Sequence, residues 1–224
     1  MSSPIKINFK TEWFSISLML ISFVSAFYFY QNFPAQVASH WNINGEVDAY
    51  SGPLMAAFMI PVLMVIMYIS FLIMPYFDPK KDQYINFAPI YYRFKELILS
   101  FLFILYFMTG VNGLGYEINI GMYVPLMIGI MFIIIGILIK KVKMNWFLGF
   151  RTPWTMSSEK VWDKTNKLGS RIMVISGILM ASTGFIPNTF KIIMFILAIS
   201  LLVLVLPVYS YLLYRKEQKE REGK

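Results

Sequence analysis

Long apolar runs separated by short polar segments dominate the chain. A helix rises about 1.5 Å per residue, so roughly 20 apolar residues cross a hydrocarbon core of about 30 Å. Six runs fit that length: 13–33, 53–76, 94–113, 120–139, 168–186 and 189–214. Within the fifth stand Ser170 and Arg171, and it reaches full length only if Arg171 snorkels to the interface. Pro61 and Pro207 fall inside the second and sixth runs, where kinks are expected. Lys6 and Lys10 precede the first run in the manner of a secretory signal. Its apolar core is too long for one, and no small-x-small site follows, so it reads as an anchored helix. The expected fold is all-α: a polytopic membrane bundle of about six spans.

Composition agrees with that reading. Of the 224 residues 58% are hydrophobic and 14% charged, and the mean hydropathy is +0.61. Water-soluble domains carry about 25% charged residues, so lipid is the expected solvent for most of the surface. The chain has no cysteine and a single histidine, His40, which removes disulfides, thiolate chemistry and His-rich centres. The net charge of +8 is explained by its placement. Numbering the connections in chain order, the basic residues fill the N-terminal tail, the second and fourth connections and the C-terminal tail. Only Lys191 falls on the other side, with Glu46, Asp48 and Glu117. By the positive-inside rule both termini lie in the cytoplasm. The charge then attracts anionic headgroups, and no basic stretch has the form of a nucleic-acid motif.

Two connections are longer than the roughly 2–8 residues usual in helical bundles. The external one, 34–52, contains Pro34, His40, Trp41, Asn42, Asn44, Gly45, Glu46 and Asp48. Asn44-Gly45 signals a turn, because both residues tolerate positive φ. Such a turn could carry His40 back towards Asp48, as a pH-responsive pair or a thin, partial metal site. The plainer reading is an ordered loop with Trp41 in the interface.

The cytoplasmic connection, 140–171, holds Asn145, Gly149, Arg151, Thr152, Pro153 and Thr155. Pro153 pushes Thr152 into extended backbone, after which Thr155 or Ser157 offers a helix cap. Val161, Trp162, Thr165 and Leu168 then recur at helical spacing among charged positions. That pattern predicts a short helix in the membrane surface with Trp162 in the interface. Arg151 is free to anchor Thr155 or a loop carbonyl, or to meet an anionic partner. The segment serves either as a structural lid or as a docking site.

No ionisable residue sits at the centre of a span, where transporters and proton relays place them. Glu96 lies near an inner end and Asn112 near an outer one. Metalloprotease, nucleophile-elbow and phosphate-loop spacings are missing, so a catalytic role and a bound cofactor are not expected.

Taken together, the two loops resemble a known family. Asn145, Gly149, Arg151, Thr152, Pro153 and Thr155, followed by Trp162 and Thr165, closely resemble the signature of the SdpI family of bacterial membrane proteins. Pro34, His40, Trp41, Asn42, Gly45 and Asp48 look like the uncharacterised N-terminal membrane domain often joined to it. The likeness covers roughly residues 15–185. In two places the chain departs: Asn166 stands where a histidine often follows the threonine, and Pro53 where a lysine commonly ends the external motif. An activity resting on that histidine would be lost or altered here.

The resemblance implies immunity to a secreted, membrane-active peptide toxin. For the founding system it also implies holding a soluble transcriptional repressor at the membrane. The expected organisation is a membrane half over 1–114 with the external loop, and an SdpI-like half over 115–224 with the cytoplasmic lid, in one compact bundle. The bilayer, a toxin outside and a repressor inside are the expected partners, with no direct nucleic-acid binding. A small-molecule transporter component and a non-catalytic assembly subunit are the rival readings.

Overall fold

The computed structural model describes residues 4–223. Its helices are α1 (Phe9–Asn32), α2 (Pro53–Phe77), α3 (Ala88–Gly113), α4 (Ile120–Ile139), α5 (Pro153–Ser157), α6 (Glu159–Ser182), α7 (Asn188–Ser200) and α8 (Leu206–Glu222). A π-helical turn, Leu201–Val205, joins α7 to α8, and a 3₁₀ turn, Lys81–Asn86, precedes α3. Strands β1 (Val37–Trp41) and β2 (Val47–Ser51) form a hairpin between α1 and α2.

Five helical segments are long and apolar enough to cross a membrane: α1 to α4 and the continuous Asn188–Glu222. Helix α6 is the exception, and its surroundings explain why. Ten of its residues are buried, among them Trp162, Thr165, Asn166, Ser170 and Ser176. It packs on α4, α5, α7 and α8, so much of its surface meets protein rather than lipid. Polar side chains are tolerated there when they find partners: Ser170 donates to the Gly136 carbonyl at 2.6 Å and Ser176 to that of Ala198 at 2.8 Å.

Small residues set the closest helix pair. A Cβ on Gly129 would lie 2.4 Å from the Gly177 carbonyl oxygen, and one on Gly136 would lie 2.9 Å from that of Ser170. A Cβ on Gly184 would meet the Met122 carbonyl at 2.6 Å. Each step of seven along α4 is therefore matched by seven back along α6 and the turn that follows it. This is an antiparallel seam in which the absence of side chains lets backbones touch.

Two loop expectations need correction. Helix α6 begins at Glu159, so 161–168 is no separate surface helix but the first turns of a span-length helix, and that helix stops at Ser182 rather than residue 186. Trp162 is fully buried rather than interfacial. Its Nε1 donates to the Val142 carbonyl at 3.0 Å. A stripe buried against protein has the same period as one buried in lipid. The caps also differ: Thr152 caps α5 and Ser158 caps α6, while Ser157 is exposed and donates back to Pro153. Within the last span the irregularity lies at Leu201–Val205, just before Pro207, whose ring cannot sit in an unmodified α-helical ladder.

Candidate functional site

The external connection is a β-hairpin. Asn42 organises its turn: its side-chain oxygen accepts from the amides of Asn44 at 2.9 Å and Glu46 at 3.1 Å, while its amide donates to the Glu46 carboxylate at 2.9 Å. Gly45 takes φ +84, and no non-glycine residue has positive φ among those described. The left-handed position is therefore Gly45 alone and not Asn44. The strand register shifts around His40, and His40 Nδ1 meets Asp48 Oδ1 at 2.5 Å, both side chains largely exposed. Trp41 is half-buried and Pro34, at the exit of α1, is exposed.

The hairpin tip rests on the other half of the chain. A Cβ on Gly45 would come within 2.9 Å of Gly121 Cα, at the start of α4. Beneath the hairpin, between α2 and α3 on one side and α4, α6 and α7 on the other, lies a cavity of about 710 Å³. His40 and Trp41 line it together with Met59, Leu102, Val124 and Ile128.

At the opposite, basic face the motif residues form a polar knot. Buried Asn145 accepts from the amides of Phe147 and Leu148 at 2.8 and 2.7 Å, and donates to the carbonyls of Lys143 and Leu148. Arg151 is exposed and donates to the Trp146 carbonyl, so it holds a loop carbonyl rather than Thr155. The side chains of Thr152 and Thr155 close a reciprocal capping box, and Thr155 Oγ1 also donates to Phe150 O at 3.0 Å. Thr152 Oγ1 lies 3.0 Å from Ser210 Oγ of α8. Gly149 adopts φ +120 against the Trp162 ring, where a Cβ would clash at 2.6 Å. Thr165 is fully buried and its hydroxyl finds no partner among the described residues.

Asn166, the position of departure from the family pattern, belongs to this knot. Its side-chain oxygen accepts from the Phe150 amide at 3.0 Å and its amide donates to Trp162 O at 3.1 Å. The lid is accordingly shorter than 140–171: the loop proper ends at Ser158, the cap of α6. Ser158 also donates to Glu217 Oε2 of α8 at 2.6 Å.

Two buried clusters escaped sequence reasoning. Asp78, 2% exposed, accepts from the Lys80 amide at 2.7 Å, the Tyr84 hydroxyl at 3.0 Å and the Trp146 amide at 2.8 Å. It thus ties the second connection to the motif loop. Burial, and then the neighbouring Asp78 carboxylate, hold the Tyr84 phenol far above its ordinary pKa. Around them Phe87, Tyr91, Leu138, Val142, Met144 and Trp162 form one core drawn from both halves. The second cluster pairs Lys95 Nζ with Glu12 Oε2 at 2.5 Å, both side chains at most 5% exposed. Lys95 also donates to Thr11 O at 3.2 Å and lies over the rings of Tyr68 and Tyr92. An acidic residue directly ending an apolar run on the basic side, Asp78 after Phe77, was the available signal. Counting only lysine and arginine passes over it.

A helical bundle with apolar outer faces, a hairpin at one end and a basic polar knot at the other defines a multi-pass protein of the cell membrane. Family models agree on which one. The SdpI/YfhL protein family matches residues 141–211, and a domain of unknown function, DUF1648, matches 18–65. The immunity protein SdpI of Bacillus subtilis (strain 168) is 30% identical over 207 residues, 92% of this chain and 97% of that protein. The uncharacterized protein YfhL of the same organism is 32% identical over 94 residues, 41% of this chain and 82% of its own length. No solved structure matches. The chain belongs to the SdpI family.

Proposed function

We propose that the protein protects the cell carrying it against a secreted, membrane-active peptide toxin. The observation that carries this reading is the near full-length similarity to a protein named for immunity, which takes in both the hairpin and the knot. In this reading the basic knot lies in the cytoplasm and the hairpin outside. The hairpin residues Pro34, His40, Trp41, Asn42, Gly45 and Asp48 meet the toxin. Residues 1–114 form the receiving half and 115–224 the half that carries the motif. The knot, through Asn145, Gly149, Arg151, Thr152, Pro153, Thr155, Trp162 and Thr165, orders the cytoplasmic side.

A finer step is recruitment of a soluble repressor to that side. It requires toxin contact to bias a helix arrangement that both faces share. Continuity of the packing supports it, since the hairpin touches α4 through Gly45 and Gly121 and Asp78 touches the motif loop.

Expression in a toxin-sensitive host tests the reading by survival under challenge. Protection by the wild type is expected, weakened by His40→Ala. Arg151→Ala is expected to impair recruitment of the repressor to membranes, followed by fluorescence of a tagged copy. A folded, membrane-inserted protein that gives no survival advantage would overturn immunity to the toxin tested. Survival unchanged by His40→Ala, with recruitment unchanged by Arg151→Ala, would overturn the site assignments.

A further inference from the structure

The cavity beneath the hairpin has a chemistry of its own. Its wall is made of Met55, Met59 and Leu63 of α2, Leu102 of α3, and Val124 and Ile128 of α4. The few polar groups in its deeper wall are already engaged: Thr109 donates to the carbonyls of Leu105 and Tyr106, and Thr183 to that of Met180. One buried polar group is left over, the Ser51 hydroxyl at the hairpin end, and a single such partner is too few to hold water through the rest of the space. The occupant must therefore be apolar along most of its length.

The cavity also has a charged end. Lys191, in the first turn of α7, lines it and makes no hydrogen bond or ion pair among the described residues. It is the one cation that the sequence places on the hairpin side. His40 lines the same end, its Nδ1 held by Asp48, while Asp48 and Glu46 are not part of the lining. Met55, Met59 and Leu63 of α2 and Phe195 of α7 line the cavity and are exposed, and α2 and α7 do not pack on each other, so the space is open between those two helices.

We infer that this cavity is a binding site for an anionic phospholipid, with acyl chain inside and phosphate at Lys191. Size favours this occupant over a helical peptide enclosed in the cavity. A helix is about 10 Å wide, so about 710 Å³ would take only about 9 Å of it, roughly six residues. A methylene fills about the volume of a water molecule, roughly 30 Å³, so the same space holds on the order of twenty acyl carbons. Charge separates it from a zwitterionic lipid. A choline or ethanolamine group would bring a second cation to Lys191, whereas phosphatidylglycerol brings only the phosphate. The volume lies in the range of about 300–1,000 Å³ typical of small-ligand sites.

The test uses the full-length protein in nanodiscs of phosphatidylcholine, with a few per cent of a brominated-acyl lipid added as quencher. Trp41 lines the cavity, and subtracting the signal of a Trp41→Phe variant isolates its fluorescence. Brominated phosphatidylglycerol is expected to quench Trp41 at least two-fold more than brominated phosphatidylcholine at equal mole fraction. Lys191→Gln should bring that ratio to one, and Ile128→Phe, which fills the cavity, should reduce quenching by both lipids. Val124→Phe repeats the filling from another turn of α4 should Ile128→Phe not fold. Equal quenching by the two lipids, or a preference that survives Lys191→Gln, would overturn the inference. Relief of quenching by an apolar helical peptide that leaves the two lipids equivalent would give the cavity to peptide instead, and would overturn it as well. Cell survival plays no part in this readout, so the result is independent of the immunity proposal.

Discussion

Removing the Asp78 carboxylate should loosen the basic face more than any single change at an exposed motif residue. Asp78→Ala deletes the acceptor for three donors. The Lys80 amide lies in a turn that water can reach, so its loss costs little. The Tyr84 hydroxyl points into the packed junction of the two halves, where leaving a buried donor unpaired costs about 1–3 kcal/mol; the Trp146 amide is part-buried and adds about 1 kcal/mol. Together they give about 2–4 kcal/mol, which for a chain of this size corresponds to roughly 4–16 °C in Tm.

Asp78→Asn separates charge from hydrogen bonding. An amide turned so that its oxygen meets Tyr84 and Trp146 keeps both bonds and sets its NH₂ against the Lys80 amide, which the turn can relax. The expected loss is therefore about half that of alanine. Tyr84→Phe removes the buried donor together with the bond it makes, and should be the mildest of the three. Scanning fluorimetry on detergent-purified protein gives the order, and hydrogen exchange at the Trp146 amide should rise in Asp78→Ala. An alanine variant as stable as the wild type would refute the reasoning, as would an asparagine variant less stable than alanine.

Three further outcomes follow from the packing. Breaking the Glu12–Lys95 pair by Glu12→Gln or Lys95→Met should cost about 3–5 kcal/mol, because the remaining charge is buried alone; Glu12→Leu combined with Lys95→Met should recover most of it, and thermal melts of the three variants check this. Gly129→Leu should separate α4 from α6, since even a Cβ there lies 2.4 Å from a backbone oxygen; loss of folded protein on size exclusion is the readout, with exposed Ile130→Leu as the control. Gly45→Ala should strain the hairpin turn at φ +84 and push on Gly121, raising protease sensitivity of the hairpin with little effect on the basic face.

All five of the long apolar helical segments were visible as apolar runs, and the hairpin turn was visible in Asn44-Gly45. The pairing of His40 with Asp48 followed from that turn. What spacing could not give was the identity of a buried face. Val161, Trp162 and Thr165 have the same helical period whether they meet lipid or the knot, and only the fold reveals that Val142 and Gly149 receive Trp162. Glu12 and Lys95 lie 83 positions apart, and each falls at the margin of an apolar run, so neither looks intramembrane in the sequence. The α4–α6 seam was written in Gly129, Gly136, Gly177 and Gly184, but a step of seven gains meaning only when two helices run antiparallel. Asn166 reads as a departure from a family pattern until its two hydrogen bonds are seen.

Immunity, toxin contact and the lipid site all require the hairpin and the knot to lie on opposite sides of a bilayer. The absence of native cysteine makes the measurement clean. Single cysteines at Asn44 and Lys164, both exposed, would be labelled in intact cells with a membrane-impermeant maleimide, before and after permeabilisation. Asn44→Cys should label at once and Lys164→Cys only after permeabilisation. Equal accessibility of the two positions in intact cells would contradict the arrangement.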